Sequence, residues 1–178
     1  PKGIATDNSG NIYVVDSGNS RIQKFSSFQN NWTFLSKWGE QGSGDGEFSS
    51  PMGIATDNSG NIYVVDSGNS RIQMFSSEGV FLSKWGESGS CAWPSCIEDG
   101  GFSSPMGITT GIHAGSNNVY LHVVDSGNYR VKTDNLGGGF RWSWGPNGGD
   151  GVLSSPWGIS VDSSGYIYVV DSGNSQIR

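Results

Sequence analysis

The chain has 178 residues, of which 34% are hydrophobic and 12% aromatic, with 29 glycines and a net charge of −6. Seven tryptophans and repeated IYVV runs exclude a disordered chain, which would be poor in aromatic and β-branched residues. The scattered basic residues disfavour a nucleic-acid partner, and no apolar stretch approaches the about 20 residues of a membrane span. We therefore predict a single folded domain over residues 1–178.

The sequence repeats itself with a period of about 50 residues, which is typical of propeller blades. Residues 1–25 and 51–75 are identical except at positions 2/52 and 24/74. Each unit opens with a P-x-G-I segment. The predicted blades are residues 1–50, 51–104, 105–155 and 156–178.

The second unit shows four predicted strands in chain order. They are Gly53–Asp57, Asn61–Asp66, Arg71–Phe75 and Val80–Gly86, rich in β-branched and aromatic residues and separated by short polar turns. Gly60 gives the first turn a residue that tolerates positive φ. Four antiparallel strands followed by a Gly-rich crossing predict one propeller blade.

A single four-stranded sheet cannot bury both of its faces, so the units must stack. The predicted fold class is all-β, a propeller of four-stranded antiparallel blades whose fourth unit ends inside its third strand. It is either a four-bladed ring or a fragment of a larger propeller, and its open last edge could pair with another chain. The predicted inter-blade core is Ile54, Ile62, Val64, Ile72, Phe75, Phe81 and Trp85.

The stretch from Trp38 to Phe75, WGEQGSGDGEFSSPMGIATDNSGNIYVVDSGNSRIQMF, resembles an NHL repeat. The G-S-G-D-G-x-F-x-x-P crossing, G-I-A-x-D, G-N-I-Y-V-x-D and N-x-R-I-Q-x-F occur in the order of that family. The resemblance implies a β-propeller, usually six-bladed, that serves mostly as a binding platform for proteins or RNA. A few related propellers are lyases with metal and histidines in a central pocket.

The phrase DSGNSR is predicted to be a structural corner between the second and third strands of a blade. Gly18 and Asn19 are expected to take the left-handed turn, and a charge-assisted hydrogen bond is expected to join the flanking Asp and Arg. Gln176 replaces the Arg in the last unit. The predicted corner pairs are Asp16–Arg21, Asp66–Arg71 and Asp125–Arg130.

A cation loop is the alternative interpretation of the acidic turns, because DNSGN and DSGN offer several oxygen ligands. The spacing of a calcium loop with a distal Glu is absent. We therefore predict no metal and no cofactor, with calcium as the alternative. The aspartates at the first turn of each blade, Asp7, Asp57 and Asp162, either cap their turns or line a central channel.

Departures from the repeat are the candidate ligand-binding positions: Trp32, Trp93, Trp142 and His113. Asn31 opens an N-x-S/T sequon and is a glycosylation candidate. Blade three replaces the D-N-S-G turn with GIHAGSNN and adds His122 in the next strand. Cys91 and Cys96 lie in SCAWPSC and form either a disulfide, in an oxidising compartment, or two free thiols.

Copied blades present the same groups symmetrically, whereas catalysis needs different groups at one point. We therefore predict a non-enzymatic binding or structural scaffold, extracellular or on a cell surface, with an unidentified protein or glycan ligand. One alternative is a propeller-type lyase or lactone hydrolase with a cation in the central channel. Another is a glycan-binding propeller that stacks sugars on its tryptophans.

Overall fold

The computed structural model describes residues 1–28, 31–86, 101–113, 116–145 and 152–178, with only the backbone at 27, 28 and 31. The chain forms two compact units, Pro1–Trp85 and Gly86–Arg178. Each unit contains two antiparallel sheets, and every sheet follows the chain order of its strands. The part of the chain described contains no helix with the length and apolarity that a membrane crossing requires.

The first unit contains blades one and two, with four strands each. Blade one has longer outer strands than blade two, because the three extra residues of its third hairpin extend both of them. Its strands are β1 (Ile4–Thr6), β2 (Ile12–Asp16), β3 (Arg21–Phe28) and β4 (Asn31–Trp38). Those of blade two are β5 (Pro51–Thr56), β6 (Ile62–Asp66), β7 (Arg71–Phe75) and β8 (Phe81–Trp85).

The second unit contains blades three and four, and blade four has three strands. The predicted all-β propeller of antiparallel blades with a short last blade is confirmed, while the number of blades in a closed ring stays a prediction. The strands of blade three are β9 (Pro105–Ile112), β10 (Val119–Asp125), β11 (Arg130–Asn135) and β12 (Phe140–Trp144). Those of blade four are β13 (Pro156–Val161), β14 (Ile167–Asp171) and β15 (Gln176–Ile177).

The core of the first unit lies between its two blades. Side chains alternate across each strand, so every blade has two faces. One face of blade one, with Tyr13 and Val15, packs against the opposite face of blade two, with Ile54 and Val64. The second unit repeats this arrangement, since Val124 of blade three shares a buried cluster with Val169 of blade four.

One core position was missed by the sequence analysis. Phe48 lies in the Gly-rich crossing between blades one and two, yet it is fully buried in the inter-blade cluster. Phe102 and Leu153 occupy the same position before blades three and four and are also buried. Of the predicted core, Phe81 and Trp85 are only partly buried, because they lie on the outermost strand.

The corner between the second and third strands differs from its prediction in one detail. The SGN residues form a short 3-10 turn in every blade described. The left-handed residue comes after this turn, at Ser20 with φ 50° and Ser70 with φ 52°, and not at Gly18 or Asn19 as predicted. Gly60 does have positive φ, at 84°.

Candidate functional site

The corner of blade two binds one buried carboxylate from several directions. Oδ2 of Asp66 accepts hydrogen bonds from Arg71 Nε at 2.7 Å and Asn69 Nδ2 at 2.8 Å. Gln73 Nε2 donates to the same oxygen at 3.1 Å, and the backbone N–H of Ser49 donates to Oδ1 at 2.7 Å. The charge of Asp66 is thus compensated inside the protein, as a buried carboxylate requires.

The same corner also holds the crossing segment that enters blade two. The guanidinium of Arg71 donates to the carbonyls of Ser43, Gly44 and Glu47 at 2.7–2.9 Å. A Cβ at Gly68 would collide with Ser49, so glycine is needed there for close approach. The repeated DSGNSR sequence therefore anchors a blade to its preceding crossing. Its Asp and Arg side chains already use their hydrogen-bonding groups in this contact.

The other corners vary in burial. Arg130 Nε lies 2.8 Å from Asp125 Oδ2 with both side chains fully buried, and burial raises the pKa of the Asp125 carboxyl. Arg21 and Asp16, 2.7 Å apart, are partly exposed. In blade four Arg178 takes the place of the missing corner Arg, with its Nε 3.4 Å from Asp171. The first two distances agree with the predicted geometry, and the third was not foreseen.

The aspartates considered for a central channel cap the first turn of their blades. Oδ1 of Asp57 accepts the backbone N–H groups of Ser59 and Asn61, both at 2.9 Å. Oδ2 accepts from Asn61 Nδ2 at 2.8 Å and from the Tyr63 hydroxyl at 2.9 Å. Burial and the Asp57 charge raise the pKa of Tyr63, which keeps the phenol a donor.

Asp7 makes the corresponding bonds in blade one. Asp162 accepts from two backbone N–H groups and the Tyr168 hydroxyl in blade four, where Tyr166 replaces the asparagine donor. Burial disfavours ionisation of Asp7, but the hydrogen bonds from Asn11, Tyr13 and Ser9 outweigh it and hold its pKa below the ordinary value. In the described ranges, no group of three or more His, Cys, Asp or Glu side chains is arranged to bind a metal ion. These carboxylates therefore act first as turn caps.

Blade three loses the turn Asp and the strand Tyr together. His122 occupies the Tyr position, is fully buried and has its Nδ1 2.9 Å from Thr133 Oγ1. Burial, and secondarily the charge of His113, lowers the pKa of His122 to about 4. The buried imidazole is therefore neutral near pH 7.

A second exchange in blade three puts charges inside it. Lys132 Nζ lies 3.6 Å from Asp134 Oδ1, and both side chains are buried. The ammonium also lies 4.6 Å from the ring centroid of Phe102 and 5.7 Å from that of Phe140, within the range of cation–π attraction. Blade three thus has a buried, partnered ion pair at the positions that Gln73 and Phe75 occupy in blade two.

The candidate ligand-binding aromatic residues have different environments. Trp32 is exposed, whereas Trp142 is partly buried, with its ring 5.0 Å from both His113 and Tyr120. For Asn31 the structure gives only the backbone, at the start of β4. Trp93 and the Cys91–Cys96 pair lie outside the described residues.

A cleft in the first unit was not anticipated from the sequence. It has a volume of about 440 Å³, lies where the first crossing passes the outer strands, and will be called the acidic cleft. Asp45 Oδ1 is 2.6 Å from Lys84 Nζ, and Glu47 Oε2 accepts the Gly44 N–H at 2.8 Å. Three aromatic and three acidic side chains line it: Trp38, Phe75, Phe81, Glu40, Asp45 and Glu47.

The aromatic wall of the acidic cleft is a connected set of rings. The Phe75 ring lies 6.0 Å from Trp38 at 50° and 6.0 Å from Phe81 at 78°. Gly79 is needed beside them, because a Cβ there would lie 2.6 Å from the Trp38 ring. Rigid rings beside carboxylates can bind a cationic group by cation–π attraction and by charge.

Comparison with known structures places the architecture among solved propellers. The chain is similar to a streptogramin B lyase (16% identity, 99% of this chain and 50% of that one, TM-score 0.66). It is also similar to a nidogen/laminin complex structure (22%, 96% and 56%, TM-score 0.64). An auxiliary nutrient binding protein from Bacteroides ovatus matches as well (15%, 99% and 46%, TM-score 0.70). At these identities the likeness shows the fold alone, and the chain spans about half the length of each.

Comparison with curated protein sequences gives no match. The NHL repeat family, in contrast, matches three segments of the chain, residues 1–25, 48–75 and 153–178. These segments carry the first three strands of blades one, two and four. The motifs by which the sequence resembles this family contain the aspartates that cap the first turns and the Asp–Arg pairs that bind the crossings. The chain therefore contains three segments that match the NHL repeat.

Proposed function

We propose that this protein is a non-enzymatic binding module that recognises a cationic side chain of a protein partner in the acidic cleft. The observation that carries the proposal is the combination of an aromatic wall with three carboxylates around one opening of about 440 Å³. Fold does not determine function, so the proposal depends on this site and not on the solved lyase or nutrient-binding relatives.

The repeated polar residues are poor candidates for recognition. The carboxylates of Asp57 and Asp66 accept hydrogen bonds from their own turn, corner or crossing. A ligand would have to break these bonds, each of which contributes about 0.5–1.5 kcal/mol of stability or more when charged. The acidic cleft takes its acids from the crossing, outside the strands, and they are less heavily bound: Asp45 contacts Lys84 and Glu47 accepts the Gly44 N–H.

The chemistry of the acidic cleft selects the class of ligand. Its three acids outnumber the one basic side chain bound to them, Lys84, and the whole chain has a net charge of −6. An arginine or lysine side chain fits this charge and can lie against Trp38 or Phe81. Arginine is favoured, because its planar guanidinium stacks on rings and pairs with carboxylates simultaneously.

A short arginine peptide tests the proposal directly. The probe is acetyl-Gly-Arg-Gly-amide, with the citrulline peptide as its uncharged match, and the readout is the Trp38 indole N–H signal in a proton–nitrogen spectrum, assigned with Trp38→Phe. We expect the arginine peptide alone to shift that signal. Glu40→Gln and Glu47→Gln should each weaken binding by about two- to five-fold, the range of an exposed charge pair.

The matched control is Glu78→Gln, which removes an exposed acid of the same unit outside the cleft. It should leave the affinity unchanged. Equal shifts with the citrulline peptide, or equal weakening by Glu78→Gln, would contradict the proposal. An extracellular or cell-surface location remains part of it, on the basis of the acidic composition and the Cys91/Cys96 spacing.

A further inference from the structure

A second cleft of the first unit lies between the turns of its two blades. It has a volume of about 410 Å³ and will be called the polar cleft; among the described residues it shares none of its lining with the acidic cleft. The first turns of both blades line it, together with Lys24 of β3 and with Ser77 and Glu78 in the third turn of blade two. Every described residue of this lining is polar, charged or a glycine. The polar cleft is therefore suited to a ligand that is held by hydrogen bonds.

The sequence distinguishes Lys24 from the rest of this lining. It is one of only two positions at which residues 1–25 differ from residues 51–75, where Met74 is its counterpart. Its Nζ donates to the Ser77 carbonyl at 2.8 Å and lies 5.4 Å from the centroid of the Tyr13 ring. An ammonium has three N–H donors, and Ser77 is its one hydrogen-bond acceptor in the part of the chain described. Two donors of Lys24 are thus left for a ligand.

The groups around Lys24 also keep hydrogen-bonding capacity. Asn8 and Asn58 are exposed, and Asn8 Nδ2 lies 3.4 Å from Asn58 Oδ1, beyond the usual 2.7–3.2 Å of such a bond. Each carboxylate oxygen of Glu78 accepts one serine hydroxyl, from Ser76 or Ser77, and these bonds hold the pKa of Glu78 below its ordinary value. A carboxylate has about four acceptor sites, so Glu78 can accept further donors.

The two aspartates of the polar cleft do not make it a cation site. Asp7 and Asp57 each accept four hydrogen bonds from their own turn and strand, which fills the about four acceptor sites of a carboxylate. The ammonium of Lys24 would also repel a metal ion. The charges that remain for a ligand, Lys24 and Glu78, are one of each sign. We therefore expect an uncharged ligand with several donors and acceptors.

We propose that the polar cleft binds a saccharide. Neighbouring hydroxyls of a sugar ring both donate and accept hydrogen bonds, so one can accept from Lys24 while another donates to Glu78 and others contact the two asparagine amides. The volume is within the about 300–1,000 Å³ of small-ligand sites. This site uses hydrogen bonds and differs from the stacking of sugars on tryptophans that the sequence suggested as an alternative. It is also independent of the cationic ligand proposed for the acidic cleft.

Titration with simple sugars tests the proposal. The probes are the methyl glycosides of glucose, galactose, mannose and N-acetylglucosamine, each added to about 50 mM, because a contact made only of exposed hydrogen bonds should have a Kd of about 1–10 mM. The readout is the pair of side-chain amide signals of Asn8 and Asn58 in a proton–nitrogen spectrum, assigned with Asn8→Ser and Asn58→Ser. We expect at least one glycoside to shift both. A panel that shifts neither signal overturns the proposal.

The fully O-methylated form of the sugar that binds is the matched control ligand. It keeps the ring but has no O–H donors, so it should leave both amide signals in place. Equal shifts with this compound would overturn the proposal, because they would show binding without hydroxyl recognition.

Two variants of the polar cleft complete the test. Lys24→Met installs the residue that blade two has at this position, so the fold accommodates it, and it should weaken sugar binding about ten-fold or more through loss of a charged hydrogen bond. Glu78→Gln should weaken it about five-fold, the difference between a charged and a neutral bond. Lys37→Met, exposed in blade one and outside the cleft, is the matched control and should bind as wild type. Unchanged affinity in Lys24→Met overturns the proposal, and the arginine-peptide titration at Trp38 is unaffected by that outcome.

Discussion

Blades two and three have the same strand order but different interiors. In blade two, Gln73 and Phe75 lie on one face of β7, and in blade three Lys132 and Asp134 replace them as a buried pair. The two changes are two residues apart on one strand and thus on one side of the sheet. A buried charge was therefore accommodated by placing its partner at the next position of the same face.

On the opposite face of the sheet, two bonded residues of blade two are both replaced in blade three. Blade two has a bond between the Tyr63 hydroxyl and Asp57, and blade three lacks both residues and has His122 with Thr133 instead. A buried polar group left without its partner would destabilise the blade. Comparison of the two blades teaches that polar interior residues of this repeat change largely in sets, although Nε2 of His122 is buried with no hydrogen-bond partner among the described residues.

The largest expected effect comes from breaking the set in blade three. Lys132→Met leaves the buried Asp134 carboxylate without its ammonium, which should lower the free energy of unfolding by about 3–5 kcal/mol. Denaturant unfolding measures it. The double variant Lys132→Gln/Asp134→Phe, which installs the pair of blade two, should lie within about 1.5 kcal/mol of wild type. A loss under about 1 kcal/mol in the single variant would show that the pair is not coupled.

The next effect depends on pH and occurs at His122. Its pKa is lowered from 6.5 to about 4 in the folded protein, so the unfolded chain takes up the proton first as the pH falls. The associated stability is present above pH 6.5 and is lost toward pH 4. Between pH 7 and 4 the wild type should lose about 3 kcal/mol more than His122→Gln, at 1.36 kcal/mol per pKa unit.

Urea unfolding at both pH values measures the His122 effect, and carboxylate titration cancels in the comparison because both proteins contain the same acids. His113→Gln serves as the control and should keep most of the wild-type pH dependence. Parallel pH profiles for wild type and His122→Gln would show that this histidine is not buried in its neutral form.

The smallest effect is expected at the turn caps. Tyr63→Phe removes a buried hydroxyl bond to Asp57 and should cost about 1 kcal/mol. Tyr168→Phe removes the same bond, 3.1 Å long, in blade four, but Tyr168 is exposed and water can replace the phenol. Thermal unfolding compares the two, and an equal loss at both positions would refute the role of burial.

The strands were predictable because period-two alternation and β-branched runs reflect local physics. The corner pairs were also within reach, since Asp and Arg flank a short turn. The left-handed residue was misplaced because glycine was assumed to take it, whereas the 3-10 turn uses SGN and leaves Ser70 to reverse the chain. Sequence gives little warning of that, as serine has no preference for positive φ.

The acidic cleft and the Lys132–Asp134 pair were missed for different reasons. The pair had a signal, because opposite charges two residues apart in a strand lie on one face. The cleft had none, since Glu40 and Glu47 are seven residues apart in a Gly-rich crossing whose path depends on Arg71 and Asp66. Contacts between residues this far apart in sequence cannot be predicted from local sequence patterns.

The burial of Phe48 bears on how such a chain can be duplicated and shuffled. The segment that carries a blade with the crossing residue packed into its core begins at Phe48 and not at Pro51, and the family match also begins at 48. A recombination point just before Phe48 would transfer this buried side chain together with the Asp66–Arg71 corner and the strands of the blade. A recombination point after Phe48 would leave the transferred blade without this side chain, and therefore with a cavity in the core between the two blades.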